Sequence, residues 1–268
     1  MPLRSANLNV MIRAAREASV KLKRDYGEVD QLQVSKKGPA DFVTAADIRT
    51  EKILRGELAK ARPDYGFLME EAGAVEGADQ DRRWIIDPID GTTNFVHGIA
   101  HFAMSIALQE HGKITAGIVF NPITEELFTA EAGNGAYLND RRLRVSSRVG
   151  LDNSVFATGI PFMGRGDDQD HQRFLSEMAA VMGASAGIRR FGSAALDLAF
   201  VAAGRYDGFW ESGLMPWDIA AGIILVREAG GLVTDIDGRD MRLEAGTILA
   251  SNPNLHQPLG DTLRKARK

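Results

Sequence analysis

The sequence contains no cysteine among its 268 residues. That removes disulfides, thiolate metal sites and cysteine nucleophiles together, and it fits a reducing compartment. No apolar stretch approaches the ~18 residues of a membrane span. The N-terminus, Met1-Pro2-Leu3-Arg4-Ser5-Ala6-Asn7, lacks a basic stretch followed by an apolar core, so no signal peptide is expected. There is no excess of positive charge: the formal net charge is -4. Nothing therefore suggests a general nucleic-acid binder or a binder of anionic membranes. Internal repeats and low-complexity segments are also lacking. These absences predict a cytoplasmic protein, and 44% hydrophobic residues are enough for a sizeable core.

What is present centres on Trp84-Ile85-Ile86-Asp87-Pro88-Ile89-Asp90-Gly91-Thr92-Thr93-Asn94-Phe95. The apolar run Trp84-Ile85-Ile86 reads as a buried strand. Pro88 disfavours the α region at Asp87 and is expected to stop the strand there. Gly91 lets the backbone approach a ligand, and Thr92 and Thr93 suit the opening of a helix. Two carboxylates thus face free backbone N–H groups. Carboxylates suit Mg²⁺, and N–H groups at a helix start suit a phosphate oxygen. An Asp-Pro turn before a capped helix accounts for the same residues without a site.

Elsewhere the spacing predicts helices over Leu8–Leu22, from Thr44 towards Pro63, around Phe174–Met182, after Ser193 and after Pro216. Lys36-Lys37-Gly38-Pro39-Ala40 reads as a loop. Phe67-Leu68-Met69 is a short strand ending in Glu70, so two strands end in acid, and neighbouring strand ends can converge. Met104–Glu110 and Lys113–Phe120 read as a hairpin, and Glu126–Glu131 and Tyr137–Arg144 continue the meander. Near Arg144–Asp152 the pattern changes to alternating strands and helices. We expect residues 1–148 to form an α+β half with most of the acids, and residues 149–268 an α/β half, within one catalytic unit. Asp47 also reads as the N3 acid of a capping box begun by Thr44. Asp218 reads as a first-turn acid favoured by the helix dipole, and Ser193 as a helix cap. His97 and His101 lie four apart, but Gly98 weakens any helix between them, which favours packing over a zinc pair.

Five segments in this order resemble the signatures of the inositol monophosphatase family. They are Asp41-Phe42-Val43-Thr44-Ala45-Ala46-Asp47, Glu70-Glu71, Trp84 through Phe95, Gly192-Ser193-Ala194-Ala195, and Trp217-Asp218-Ile219-Ala220-Ala221-Gly222. The resemblance spans nearly the whole chain and looks like the bacterial inositol-1-monophosphatases. It implies a layered αβαβα sandwich, shared with fructose-1,6-bisphosphatases. It also implies a Mg²⁺-dependent, Li⁺-sensitive phosphate monoester hydrolase, usually a homodimer, with two or three ions per site. Glu70, Asp87 and the Ile89 carbonyl would hold one ion, and Asp87, Asp90 and Asp218 a second. Glu70 would also touch a third. Gly91 and Thr92 would give N–H groups to the phosphate. Asp47 and Thr92 would orient and deprotonate the attacking water, and Lys36 matches a position near the metals. Gly192, Ser193, Ala194 and Glu211 would contact the alcohol. Ala72 and Met215-Pro216 depart from the common pattern without removing a ligand.

The expected reaction is hydrolysis of myo-inositol 1-phosphate by direct attack of metal-activated water. Two cations about 3.5–4 Å apart can clamp the attacking and departing oxygens. The same motifs would serve fructose 1,6-bisphosphate, 3′-phosphoadenosine 5′-phosphate or histidinol phosphate. A regulatory protein that keeps the fold and binds a partner is the remaining alternative.

Overall fold

In the computed structural model, residues 4–28, 34–38, 41–161 and 166–267 are described, with backbone alone for 34–38 and 41–43. The first helix, α1 (Ala6–Gly27), starts where the Ser5 side chain accepts from the Leu8 N–H at 3.1 Å. Its buried stripe is Leu8, Met11, Ile12, Ala15, Ala18 and Leu22, the helical period read from the sequence. A hairpin follows, β1 (Val34–Gly38) with β2 (Asp41–Thr44). This corrects the loop reading of Lys36–Gly38: Lys36 pairs with Phe42, and the ladder shifts register before Gly38. Pro39 and Ala40 lie outside the described residues.

Helix α2 (Ala45–Ala61) leads into β3 (Tyr65–Met69), β4 (Gly73–Val75) and β5 (Asp79–Asp90). After the short α3 (Thr92–Val96) come β6 (Ala103–Glu110), β7 (Lys113–Asn121), β8 (Glu126–Glu131), β9 (Gly135–Leu138) and β10 (Arg141–Arg142). These strands form an eight-stranded sheet ordered β10-β9-β8-β7-β6-β5-β3-β4. It is antiparallel except where β3 runs parallel to β5.

A second sheet follows. Its strands are β11 (Val155–Thr158), β12 (Gly187–Arg189), β13 (Gly208–Ser212), β14 (Leu232–Thr234) and β15 (Thr247–Ser251). Their order is β12-β11-β13-β15-β14. The helices between and after them are α4 (Asp168–Met182), α5 (Ala194–Ala202), α6 (Pro216–Glu228) and α7 (Pro253–Ala266).

Side-chain alternation makes these elements into layers. On β5, Trp84 and Ile86 pack with α1 and α2, while Ile85 points the other way, towards α5 and α6. On β13, Phe209 joins the α5–α6 layer, and Trp210 packs with Leu255, Leu259 and Leu263 of α7. The result is α1–α2, eight strands, α5–α6, five strands, then α4–α7: the expected αβαβα sandwich. The central helices have no solvent face to spare, and Ile219 to Val226 are all buried. Gly222 is required there, because a Cβ would sit 2.5 Å from the Leu198 Cβ across the α5–α6 contact.

The strand carrying the central motif does not stop at Asp87. It continues to Asp90, which pairs with Ala103, and its register breaks between Asp87 and Asp90. Pro88 cannot donate to a ladder, and here it ends up in a bulge rather than at a terminus. Sequence reading also passed over β4 and the polar start of β5, Asp79–Arg83. No described helix is long and apolar enough to cross a membrane.

Candidate active site

Because β3 and β5 are parallel neighbours, their C-terminal ends open on one edge of the sheet. Met69 pairs with Ile86, and the Glu70 N–H donates to the Ile86 carbonyl at 3.2 Å. Glu70 thereby sits beside Asp87, with a hydrogen bond between the two carboxyl groups. Glu51 of α2, itself buried, holds the next turn in place. Its two oxygens accept the Glu71 and Ala72 N–H groups at 2.8 and 2.9 Å.

The bulge at Pro88 turns Asp87 and Asp90 towards the same space. Asp87 Oδ1 accepts from its own Ile89 N–H at 2.9 Å, which fixes the carboxylate plane. Asp90 Oδ2 accepts from Ser193 Oγ at 2.7 Å and from the Ala195 N–H at 2.6 Å, at the start of α5. Asp218 comes from the first turn of α6, and its Oδ2 accepts from the Met215 N–H at 2.8 Å. One oxygen from each of Asp87, Asp90 and Asp218 lies within 4.8 Å of the others. Both bland readings of Asp218 and Ser193, helix-end acid and helix cap, are correct locally. The long-range contacts add the second role.

Burial and mutual repulsion push the carboxyl groups of Asp87 and Asp218 well above the usual range. Glu70 and Asp90 are the main charged neighbours. Such a group of acids is ionised at modest cost only when a cation offsets the repulsion. The donor set is all oxygen, which fits a hard divalent cation such as Mg²⁺. The Ile89 carbonyl faces the same corner, with its oxygen 3.1 Å from Thr92 Oγ1.

Gly91, not a threonine, is the N-cap residue of α3. Its φ of 104° lies in the left-handed region. A side chain there would also meet the His101 and Gly192 carbonyls at 3.1 and 3.2 Å. Thr92 is consequently the first helical residue, and its hydroxyl lies 3.1 Å from Asp47 Oδ1. Asp47 closes the capping box through Thr44, whose N–H and Oγ1 lie 2.8 and 2.7 Å from Oδ2. Burial raises its pKa to about 6 despite those hydrogen bonds.

A cavity of about 110 Å³ opens beside the acids. Glu70, Asp87, Asp90 and Asp218 line one side, and Gly192, Ser193, Ala194 and Glu211 line the other. Of the residues singled out from sequence, Asp47 is set back behind Thr92, and the side chain of Lys36 lies outside the described residues. His97 follows α3 as its C-cap, and the His101 ring packs against Phe191 and Phe200. Sequence reading missed Glu51, Asn94 and Asp197. Asn94 Nδ2 donates to the His101 and Phe191 carbonyls at 2.7 and 2.6 Å, tying α3 to the loop before Gly192. Asp197 lies buried on the cavity wall.

The fold and this group of acids define a layered sandwich phosphatase. The inositol monophosphatase family matches residues 4–268, and the chain belongs to that family. It is 56% identical over 262 residues to the inositol-1-monophosphatase of Mesorhizobium japonicum, covering 98% of this chain and 97% of that one. It is 44% identical over 266 residues to the Nus factor SuhB of Escherichia coli K12, covering 96% and 98%. The crystal structure of the extragenic suppressor protein suhB from Bartonella henselae superposes with a TM-score of 0.94 at 55% identity, covering 97% and 99%. The chain is thus a phosphatase of a metal-using family.

Proposed function

We propose that the chain hydrolyses myo-inositol 1-phosphate, or a closely related polyol phosphate, to the alcohol and inorganic phosphate with Mg²⁺. The observation that carries this reading is the meeting of Asp87, Asp90 and Asp218, from two distant segments, beside a small polar cavity. In this reading Glu70, Asp87 and the Ile89 carbonyl hold one ion, Asp87, Asp90 and Asp218 a second, and Glu70 touches a third. Bound there, the ions supply Lewis acidity to the phosphoryl group and lower the pKa of water.

The remaining work falls to the chain's own groups. Gly91 and Thr92 N–H groups orient the phosphate. Thr92 Oγ1 accepts a hydrogen bond from the attacking water while donating its own proton towards Asp47 Oδ1. A carboxyl with a pKa near 6 is ionised at neutral pH and still basic enough to receive a proton. Gly192, Ser193, Ala194 and Glu211 receive the alcohol, whose hydroxyls suit the Glu211 carboxylate. Water attacks phosphorus directly, without a phosphoenzyme. The protein acts as a cytoplasmic homodimer.

The test is phosphate release from inositol 1-phosphate, fructose 1,6-bisphosphate, 3′-phosphoadenosine 5′-phosphate and histidinol phosphate, with and without Mg²⁺. Preference for the inositol ester, abolished by chelation, is expected. Preference for a nucleotide or for histidinol phosphate, or full activity in chelator, would overturn it. The relatives named Nus factor SuhB favour a second, partner-binding role beside hydrolysis. A catalytically dead Asp87→Asn chain that still binds a protein partner would establish that role independently.

A further inference from the structure

Five buried side-chain atoms among the described residues have no hydrogen-bond partner, and Asp197 Oδ1 is the one whose residue lines the catalytic cavity. Its residue is 1% exposed. A buried polar atom without a partner is costly, so its retention in a folded chain demands a reason. The helix dipole favours an acid in this first turn, but it does not require a carboxyl oxygen buried without a partner. The α5 N-terminus is already capped by Ser193, and the backbone N–H of Asp197 already donates to the Ser193 carbonyl at 2.9 Å.

The surroundings of Asp197 are polar in a specific way. Glu211 and Asp90 repel its negative form, and Arg190 offsets them in part. Glu211 reaches the same cavity from β13, in the other sheet-borne layer. Asp90 Oδ2 is already held by Ser193 Oγ at 2.7 Å and the Ala195 N–H at 2.6 Å. Asp197 and Glu211 therefore present two carboxyl groups from two elements to one small space.

We propose that Asp197 is a specificity-determining contact that, together with Glu211, binds neighbouring hydroxyl groups of a polyol. This deepens the reading of the cavity as an alcohol pocket and rests on it. A hydroxyl is matched to such a site because it can donate its proton to the carboxyl oxygen that lacks a partner. A simple alkyl group would leave the buried Asp197 Oδ1 without a partner, and sites built to bond a hydroxyl reject analogues lacking it strongly.

The experiment compares wild type with Asp197→Leu and Asp197→Asn, all with Mg²⁺. Leucine fills the space without polar atoms, and asparagine keeps an acceptor and a donor. The kcat/KM ratio for inositol 1-phosphate over propyl phosphate is expected to fall roughly tenfold or more in Asp197→Leu, and to be largely retained in Asp197→Asn. An unchanged ratio, whether both rates drop equally or neither moves, overturns the proposal. The dissociation constant of free myo-inositol, measured by calorimetry in the presence of inorganic phosphate, reads the subsite without turnover. It is expected to rise in Asp197→Leu. If the wild type hydrolyses neither ester, the substrate assignment fails, and the calorimetry still decides Asp197. Wild type that does not bind inositol, or binds no better than Asp197→Leu, sinks the subsite.

Discussion

The two walls of the cavity are built on opposite principles. On the eight-stranded sheet, Glu70, Asp87 and Asp90 are crowded together, and their backbones are locked by adjacent strands, a bulge and Glu51. Repulsion is accepted there because the fold leaves the acids no room to separate. On the wall formed by α5 and β13, the polar groups are of mixed kind, Ser193, Asp197 and Glu211, and an oxygen of Asp197 is left without a partner. The first wall suits a task that tolerates no change of geometry. The second suits a task in which one side chain exchanged for another retunes what is bound. Asp218, from α6, joins the first wall's cluster from outside the sheet.

The sharpest break between the walls is expected from Asp87→Asn. Turnover should be abolished at saturating Mg²⁺, as measured by phosphate release, because both proposed ion positions share this carboxylate. The same variant should melt higher than wild type in chelator, because a buried acid crowded by three others has been neutralised. Near-normal activity would end the metal assignment. Thr92→Ala should lower kcat by roughly a hundredfold, with a much smaller change in KM, if the hydroxyl conducts the water's proton to Asp47. A change confined to KM would move Thr92 from the first wall's chemistry to simple binding.

Asp47 sharpens the contrast through pH. Its folded pKa of about 6 lies above the ordinary value of 3.8, so the folded state binds more protons between those limits. Stability of the metal-free protein should therefore fall as pH rises from about 4 to 6. Above that range the full cost is present, on the order of 2–3 kcal/mol. Denaturant midpoints across this range should show the slope in wild type and a flatter line in Asp47→Asn. A wild-type slope of opposite sign would remove burial as the dominant influence on this group. The smallest effect concerns the seam between the walls. Asn94→Ala leaves the His101 and Phe191 carbonyls without their donor and should cost about 1–3 kcal/mol in chemical denaturation. A loss below about half a kcal/mol would mean that solvent replaces the amide freely.

Much of the first wall was legible in the sequence, because its logic is local. Strands ending in acid, an Asp-Pro pair and a capping box are all written in consecutive residues. The family resemblance then joined Asp218 to the rest. Local rules misled at Pro88 and at Lys36–Gly38, where a partner strand decides the outcome and single-strand propensity does not. The side chains that brace the site, and the unpaired acid of the second wall, were harder to read. Asn94 acts on a carbonyl 97 positions away, and Glu51 looks like any acid on a helix until the loop after β3 folds over it. Asp197 reads locally as one more acid in the first turn of a helix, and only the lack of a partner in a buried place sets it apart.

The layer shared by α5 and α6 has a consequence for how the molecule could ever change its substrate. Those helices are welded to both sheets by apolar contact, with Gly222 pressed against Leu198. Such a block has no jaw to open around a larger guest. Bulkier esters must be admitted by trimming the rim at positions such as Ala194, Asp197 and Glu211, so divergence in this lineage would proceed by re-lettering a few sites on an unmoving frame.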